Sequence, residues 1–490
     1  MMGKKKIRYL LTIVSILILL TFSTNIHSKT FRVFGKNQLS YWQWSEDKRY
    51  FFENSLTLNA IYRNFRGNLE WFIYQPSNSS DALRNEGIRR RFIEAKYPEW
   101  SLRAGNFYQS FGNGLVLNQT LESTGNIDRD LNGLFFDYRY RFLSITLLSG
   151  RPKNWFFSNG KYSIANDTLD LIQGGSLNFS LFPPLPISLN AIRVSRENPG
   201  TEEPRLTYLY SLDVNLSYGP FIAYGEFARK SGWDQMLFTE DSTGRGIYGS
   251  VTFFVNNFSA SFEYLNYDKL GCGGSTYRYN APPTGNLDSY SINRARDETG
   301  WMFNATSNLF GNWYLTLNTS KLTTISSDSI GFDEYYGEVK GDIWNGGPTL
   351  ILGLKNIIYK KPEPIIDKKT ELIPKFELMI PLGSHSVNLG GHFRMVSIDT
   401  TKFMDNGVSL DIGLFSYLTI AGRWEVRNKN VPLESEGTEW KVAEIRWDIS
   451  DAHTLNVMAG SEKGGLVCSG GVCREEEPFT GVKINLMSRF

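Results

Sequence analysis

The sequence predicts an all-β fold: a single transmembrane, antiparallel, up-and-down β-barrel of about 24 strands, within a range of about 22–26. Three observations predict it. Apolar residues recur at every second position through most of the chain, and a helical period is almost absent. The alternating segments run to about 9–14 residues, enough for a tilted strand to cross a bilayer and longer than the usual strand of a soluble sandwich. The connections alternate between tight turns and long polar stretches. One rim would then carry short turns and the other long loops, as in outer-membrane barrels, where these face the periplasm and the exterior respectively.

The chain begins with Lys4, Lys5, Lys6 and Arg8, followed by the apolar run LLTIVSILILLTF and small polar residues. A positive segment before an apolar run too short to span a bilayer is the pattern of a secretory signal peptide, expected over residues 1–28 with cleavage near Ser28. No Cys follows that run, so a lipid anchor is not expected. The barrel is expected over 29–490, with its first strand near Phe31 and no room for an N-terminal plug domain, which argues against energised uptake. A soluble chain this long would suggest roughly two to four domains, yet no linker divides it. Aromatic residues make up 14% of the chain, a composition that suits rings with one wet and one apolar side. The net charge of +2 gives no basic surface for nucleic acid.

Along the chain, the period-two segments include SLTLNAIY (55–62), NLEWFIY (68–74), GLFFDYRY (133–140), SLNFSLF (176–182), SLDVNLSYG (211–219), WYLTLNTS (313–320), SVNLGGHFRM (386–395) and HTLNVMAG (453–460). Tight turns fall at NFRG (64–67), YPEW (97–100), FPPLP (182–186), YGPF (218–221), VNNF (255–258), FGNW (310–313), WNGGP (344–348), PLGSH (381–385) and SDAH (450–453). Longer stretches at 77–86, 111–128, 150–169, 230–243, 269–293 and 463–477 would be the external loops.

Parity assigns the faces. Leu56, Leu58, Ala60 and Tyr62 oppose Ser55, Thr57, Asn59 and Arg63; Leu410, Ile412 and Leu414 oppose Asp411; Ala443, Ile445 and Trp447 oppose Glu444 and Arg446. A charge on the lipid face costs a few kcal/mol at mid-membrane, so the charged parity should face the lumen. The expected lumen residues are Arg90, Glu94, Arg103, Asp128, Arg129, Asp130, His392, Arg394, Asp411, Arg423, Glu425, Arg427, Glu444 and Arg446. Their mixed signs predict compensating ion pairs and little ion selectivity.

More than twenty strands enclose a lumen too wide for strand side chains to fill. The Gly-punctuated block GNFYQSFGNGLVLNQTLESTGNIDRDLNGLFFDYRY (105–140) offers an inward loop over 111–128. Asp128, Arg129 and Asp130 would pair with Arg90, Glu94 and Arg103. The same glycines equally suit a surface loop.

Cys272, Cys468 and Cys473 all fall in stretches expected to be external. An oxidising compartment favours a Cys468–Cys473 disulfide across the short Ser-Gly-Gly-Val loop; Cys272 could bond either one only if 269–293 and 463–477 met over the mouth, and otherwise stays unassigned. No metal site is expected, because no His lies near the cysteines. His392 alone of the histidines has an inward parity. Neither it nor any carboxylate pair forms a catalytic constellation, so no enzyme and no cofactor are expected.

The final segment, FTGVKINLMSRF, places Val482, Ile484, Leu486 and Phe490 on one face and ends on the aromatic. It resembles the C-terminal signature strand of Gram-negative outer-membrane proteins, with Ser488 breaking the apolar series. The resemblance implies that Phe490 belongs to a signal read by the barrel-assembly machinery and that this strand closes the barrel against the first. Together with GLVCSGGVCREEEPFTGVKINLMSRF, the block 105–140 resembles an uncharacterised family of Gram-negative outer-membrane proteins, a domain of unknown function. That resemblance implies export, an outer-membrane location and contact with its lipid, and supplies no substrate. The expected function is a channel or transporter for small solutes. The alternatives are a scaffold of a secretion or surface-assembly system, with unidentified protein partners, and an outer-membrane lipase using His392.

Overall fold

In a computed structural model, the structure describes residues 31–45, 49–77, 85–122, 127–158, 161–165, 170–182, 184–197, 203–234, 239–273, 278–287, 297–326, 330–363, 366–429, 431, 437–469, 472–476 and 478–490. The expected signal peptide lies outside the described residues.

The alternation does what period two requires: each strand turns one set of side chains out and the other in. Each strand hydrogen-bonds antiparallel to its neighbours in the chain, giving a closed barrel of 24 strands. The first strand (Phe31–Trp44) pairs with the second (Tyr50–Tyr62) and with the last (Phe479–Arg489). That seam runs in register from Lys36 opposite Arg489 to Trp44 opposite Gly481. Phe490 extends it: its amide donates to the Gly35 carbonyl (3.0 Å), and the Gly35 amide donates to its carbonyl (2.8 Å). A side chain at position 35 would collide with the Phe490 ring. The chain therefore ends on an aromatic that occupies its own slot in the closing ladder.

All nine tight turns expected from the sequence join adjacent strands at one rim. Two more join Tyr140 to Leu143 and Leu414 to Leu418. Rings crowd this rim, among them Tyr62, Phe65, Tyr140, Phe142, Tyr218, Phe221, Phe310, Trp344, Phe415 and Tyr417, all exposed. Such a girdle is what a lipid–water interface favours. The other rim is less uniform than expected: Glu363 pairs with Ile366, and Ile398 with Thr401.

The outward face carries exposed Leu189, Ile247, Leu317, Leu352, Leu354, Leu410 and Ile445. A band this large and apolar needs a nonaqueous neighbour. The inward face is not uniformly polar, contrary to the parity argument. Leu131, Leu148, Ile172, Ile192, Val194 and Leu209 point inward and are buried. They need apolar partners inside the barrel, and loops provide them.

Candidate lumen and constriction

The first inward loop starts where a strand leaves its neighbour. Trp100–Phe107 pairs with Asn85–Lys96 only as far as Gly105 opposite Phe92. Gly105 has φ +115°, and a Cβ there would lie 2.1 Å from the Arg91 carbonyl oxygen. The Asn106 side chain then takes the Arg91 amide (2.9 Å), replacing the abandoned ladder. Beyond it, Gln109–Phe111 pairs with Leu117–Gln119 as a small hairpin inside the barrel. Its tip meets the wall at Phe221–Asp234: the Asn113 amide donates to Glu226 Oε2 (2.9 Å), as does the Tyr224 hydroxyl (2.8 Å). Gly112 (φ +59°) makes this approach possible, since a Cβ there would sit 2.2 Å from Glu226 Oε1. Over its described residues, the stretch 111–128 lies inside the barrel.

A second loop joins it, which parity could not foresee. The stretch 269–293, expected outside, lies within the barrel over its described residues. The Asn118 amide donates to the Tyr279 carbonyl (2.7 Å), and the Ala281 amide to the Gly114 carbonyl (3.1 Å). Asn280 Nδ2 donates to the carbonyls of Leu115 (2.9 Å) and Leu270 (3.1 Å). The Tyr279 hydroxyl donates to Asp170 on the wall. Around these polar pins the loops seal against the wall. Phe111, Val116, Leu117 and Tyr279 pack with the inward Leu131, Ile172 and Leu209. Leu115 and Leu270 pack with Ala228, Leu265, Leu322 and Phe332. Cys272 belongs to the first cluster and is buried, so its expected external position is wrong. Burial pushes its thiol up to about 12.

Half of the predicted charges fall into two groups, and the rest lie apart from both. In the first, Arg90 reaches Glu70 (2.8 Å), Asp130 (3.0 Å) and Asp128, and Arg89 also holds Asp128 (3.1 Å). Asp130 is fully buried. The Tyr108 hydroxyl donates to Asp128 (2.8 Å), tying the root of the inward loop to this cluster. Arg103 pairs with Glu94 (2.9 Å), not with the aspartates. The two residues lie opposite each other on adjacent strands, and that register sets the pairing. Arg129 has the opposite parity to its neighbours and is buried.

The second group surrounds Asp405. Arg427 holds it through Nε (2.6 Å) and a terminal nitrogen (3.0 Å), with its guanidinium between the rings of Phe403 and Trp440. Arg394 donates to Asp405 (3.0 Å) and takes Glu371 bidentately (2.9 and 2.8 Å). Lys463 bridges Asp405 (2.5 Å) to Glu425 (2.7 Å). His392 lies on the same inward face, over Gly407 of the neighbouring strand. Toward the short-turn rim, Arg423 pairs with Glu444 (2.8 Å), which also accepts from Asn456 (2.7 Å). Arg446 pairs loosely with Asp448 (3.8 Å) with its side chain 61% exposed. Asp411 is half-buried beside Asn388 and Ala421. Sequence reasoning missed Arg89, Glu371, Asp405, Lys463 and Glu226, and put Glu70 on the polar face without naming it as a site residue. Asp405 shares a cross-strand pair with Arg394, so a hairpin register would have found it. Lys463 follows its strand, where no period marks it.

A family model described as a family of unknown function (DUF6029) matches residues 5–282, more than half of the chain. The chain belongs to this family. The fold of this DUF6029 chain is similar to that of the siderophore receptor PirA from Pseudomonas aeruginosa. The TM-score is 0.50 at 8% identity, over 94% of this chain and 80% of that one. The P pilus usher PapC translocation pore aligns at TM-score 0.45 and 10% identity, over 94% of this chain and 99% of that one. The copper transporter OprC aligns at 0.47 and 9%, over 94% and 83%. None of the curated proteins compared with the chain matches it. The shared feature is the barrel fold of Gram-negative outer-membrane proteins.

The hairpin of Gly465–Ser469 and Val472–Glu476 sets Cys468 opposite Cys473 in register. Their side chains lie outside the described residues.

Proposed function

We propose that this protein is exported to the outer membrane of a Gram-negative bacterium and forms a channel for small solutes, narrowed by the two inward loops. One observation carries the reading: an inward-facing ion pair in mid-barrel keeps accessible surface. Lys375, in the middle of Ile366–Leu382, pairs with Glu338 (2.9 Å) while its side chain is 43% exposed. The loops pack mainly against the wall from Ile127–Tyr140 round to Gly331–Asp342, and the remaining passage would run along the rest of the wall, which carries most of the ion pairs. Paired charges of both signs on that wall favour weak ion selectivity. The short-turn rim is the periplasmic one in this reading, and Phe490 serves as the assembly signal.

Planar-bilayer recording of the purified protein tests it. Discrete conductance steps with little cation or anion preference are expected, and deletion of residues 113–124 should enlarge them several-fold. A silent wild-type barrel, or unchanged steps after the deletion, would sink the constriction.

A further inference from the structure

Beneath the second loop, the inner wall carries neutral hydrogen-bonding side chains that the constriction does not use. Asn304 stands opposite Asn318, and Asn318 opposite Tyr336, on three adjacent strands: Asp297–Phe310, Trp313–Thr323 and Gly331–Asp342. One step nearer the long-loop rim, Ser320 stands opposite Glu334. Asn318 is 3% and Ser320 1% exposed. Yet both amide atoms of Asn318, the Ser320 hydroxyl and Asn304 Oδ1 lack a hydrogen-bond partner among the described residues. Buried polar groups are nearly always paired, so four such atoms on one patch call for an explanation.

The surrounding charges do not hydrogen-bond these four atoms; they are drawn to one another, and Glu334 Oε1 meets Lys355 as an ion pair without a hydrogen bond. Lys355 holds Glu334 (2.9 Å), Lys375 holds Glu338 (2.9 Å), and the Tyr336 hydroxyl donates to Glu338. The cover is a short piece of the second loop. The Leu287 amide donates to Glu334 Oε2 (3.0 Å), and Gly285 sits against Leu265 and Leu322. This piece therefore runs from above Leu322 to Glu334, across the row that holds Ser320.

We propose that Asn304, Asn318 and Ser320 form a subsite for an uncharged polyhydroxyl solute of the carbohydrate class, reached when the Leu287 amide leaves Glu334. The chemistry selects the class. An amide and a hydroxyl offer donors and acceptors side by side, and each sugar hydroxyl is both donor and acceptor. Among the described residues, a charged solute finds no unpaired countercharge at this patch. An apolar one would leave the same dipoles unsatisfied. This subsite rests on the channel reading.

The test uses the full chain in an amine-oxide detergent, titrated calorimetrically with maltotriose, with glutamate and lysine as charged controls. Saturable heat is expected with maltotriose only. Asn318→Leu should weaken it at least ten-fold and Ser320→Ala several-fold. Heat-modifiable gel migration reads whether each barrel is folded, and should Asn318→Leu fail to fold, Ser320→Ala decides. No saturable heat with the wild type, or binding that neither substitution weakens, overturns the subsite. Binding without conductance in bilayers would overturn the channel and leave the subsite standing. Conductance without binding would overturn the subsite alone.

Discussion

The inner wall has two arcs built on opposite principles. From Ile127–Tyr140 round to Thr349–Glu363, much of it is apolar and receives the two loops. From Ile366–Leu382 through the seam to Asn85–Lys96, ion pairs dominate, beside two smaller apolar clusters around Phe403 and Phe72. A wide barrel must either fill its lumen or leave it wet. This one does both, on different sides. Loops that bury Leu115, Val116 and Leu117 completely gain at most about 1.5–3 kcal/mol for each such side chain, without needing exact polar geometry. A charged wall gains little net energy from its pairs, but it keeps a hydrated path. The difference teaches that the plug is placed by hydrophobic packing and pinned by a few polar contacts.

The sharpest way to break this contrast is to put a charge into the apolar arc. Leu117 has no exposed surface and lies among Phe111, Leu131 and Tyr279. Leu117→Asp should release the loops, because an unpaired carboxylate in that cluster would cost several kcal/mol. The strand ladder does not depend on Leu117, so the barrel should remain heat-modifiable on gels. Single-channel conductance should rise several-fold, and unchanged conductance would show that the packing does not hold the plug.

The ionic arc is sharpened by comparing its dry and wet pairs. Arg427 has no exposed side-chain surface and sits on Asp405. Arg427→Ala leaves Asp405 buried with only Arg394 and Lys463, and about 3–5 kcal/mol is the scale for removing one partner of a buried pair. The two remaining cations should hold the loss toward the low end of that scale. Arg423, 32% exposed on Glu444, should cost only about 0–1 kcal/mol when replaced by Ala. Unfolding midpoints in guanidinium, read for both variants in the same detergent, check the ordering. Equal losses would mean the arc is uniformly wet.

These arcs were not equally legible in the sequence. The outward face follows from parity, because a two-residue repeat has only two faces to assign, while strand number came from the count of segments and closure from the resemblance of the last strand. Arg90, Asp128, Arg394 and Arg427 were assigned to the lumen by the same parity. The apolar arc was hidden because its inward Ile192 and Val194 look like ordinary alternation with the partner set unnamed. Their strand, Ile187–Arg196, even exposes Arg193 on the outward parity. The first loop announced itself through Gly105, Gly112 and Gly114. The second did not, since its buried contacts depend on Asn280 and Tyr279 meeting a loop some 160 positions earlier. Nothing periodic records such a meeting.

Cys272 gives the mildest perturbation that still separates the arcs. If it were in an external loop, its thiol would react freely. Instead it packs beside Tyr279 and Val194 in the apolar cluster, and burial raises its thiol to about 12, so little thiolate exists at neutral pH. With Cys468 and Cys473 both replaced by Ser, a maleimide should leave the folded protein unlabelled and modify it once denatured. Combining this background with Leu117→Asp should restore labelling in the native barrel, because the same loops cover both residues. Labelling of the parent protein at the rate of a free thiol would place the second loop outside the lumen. The apolar arc would then lose its occupant.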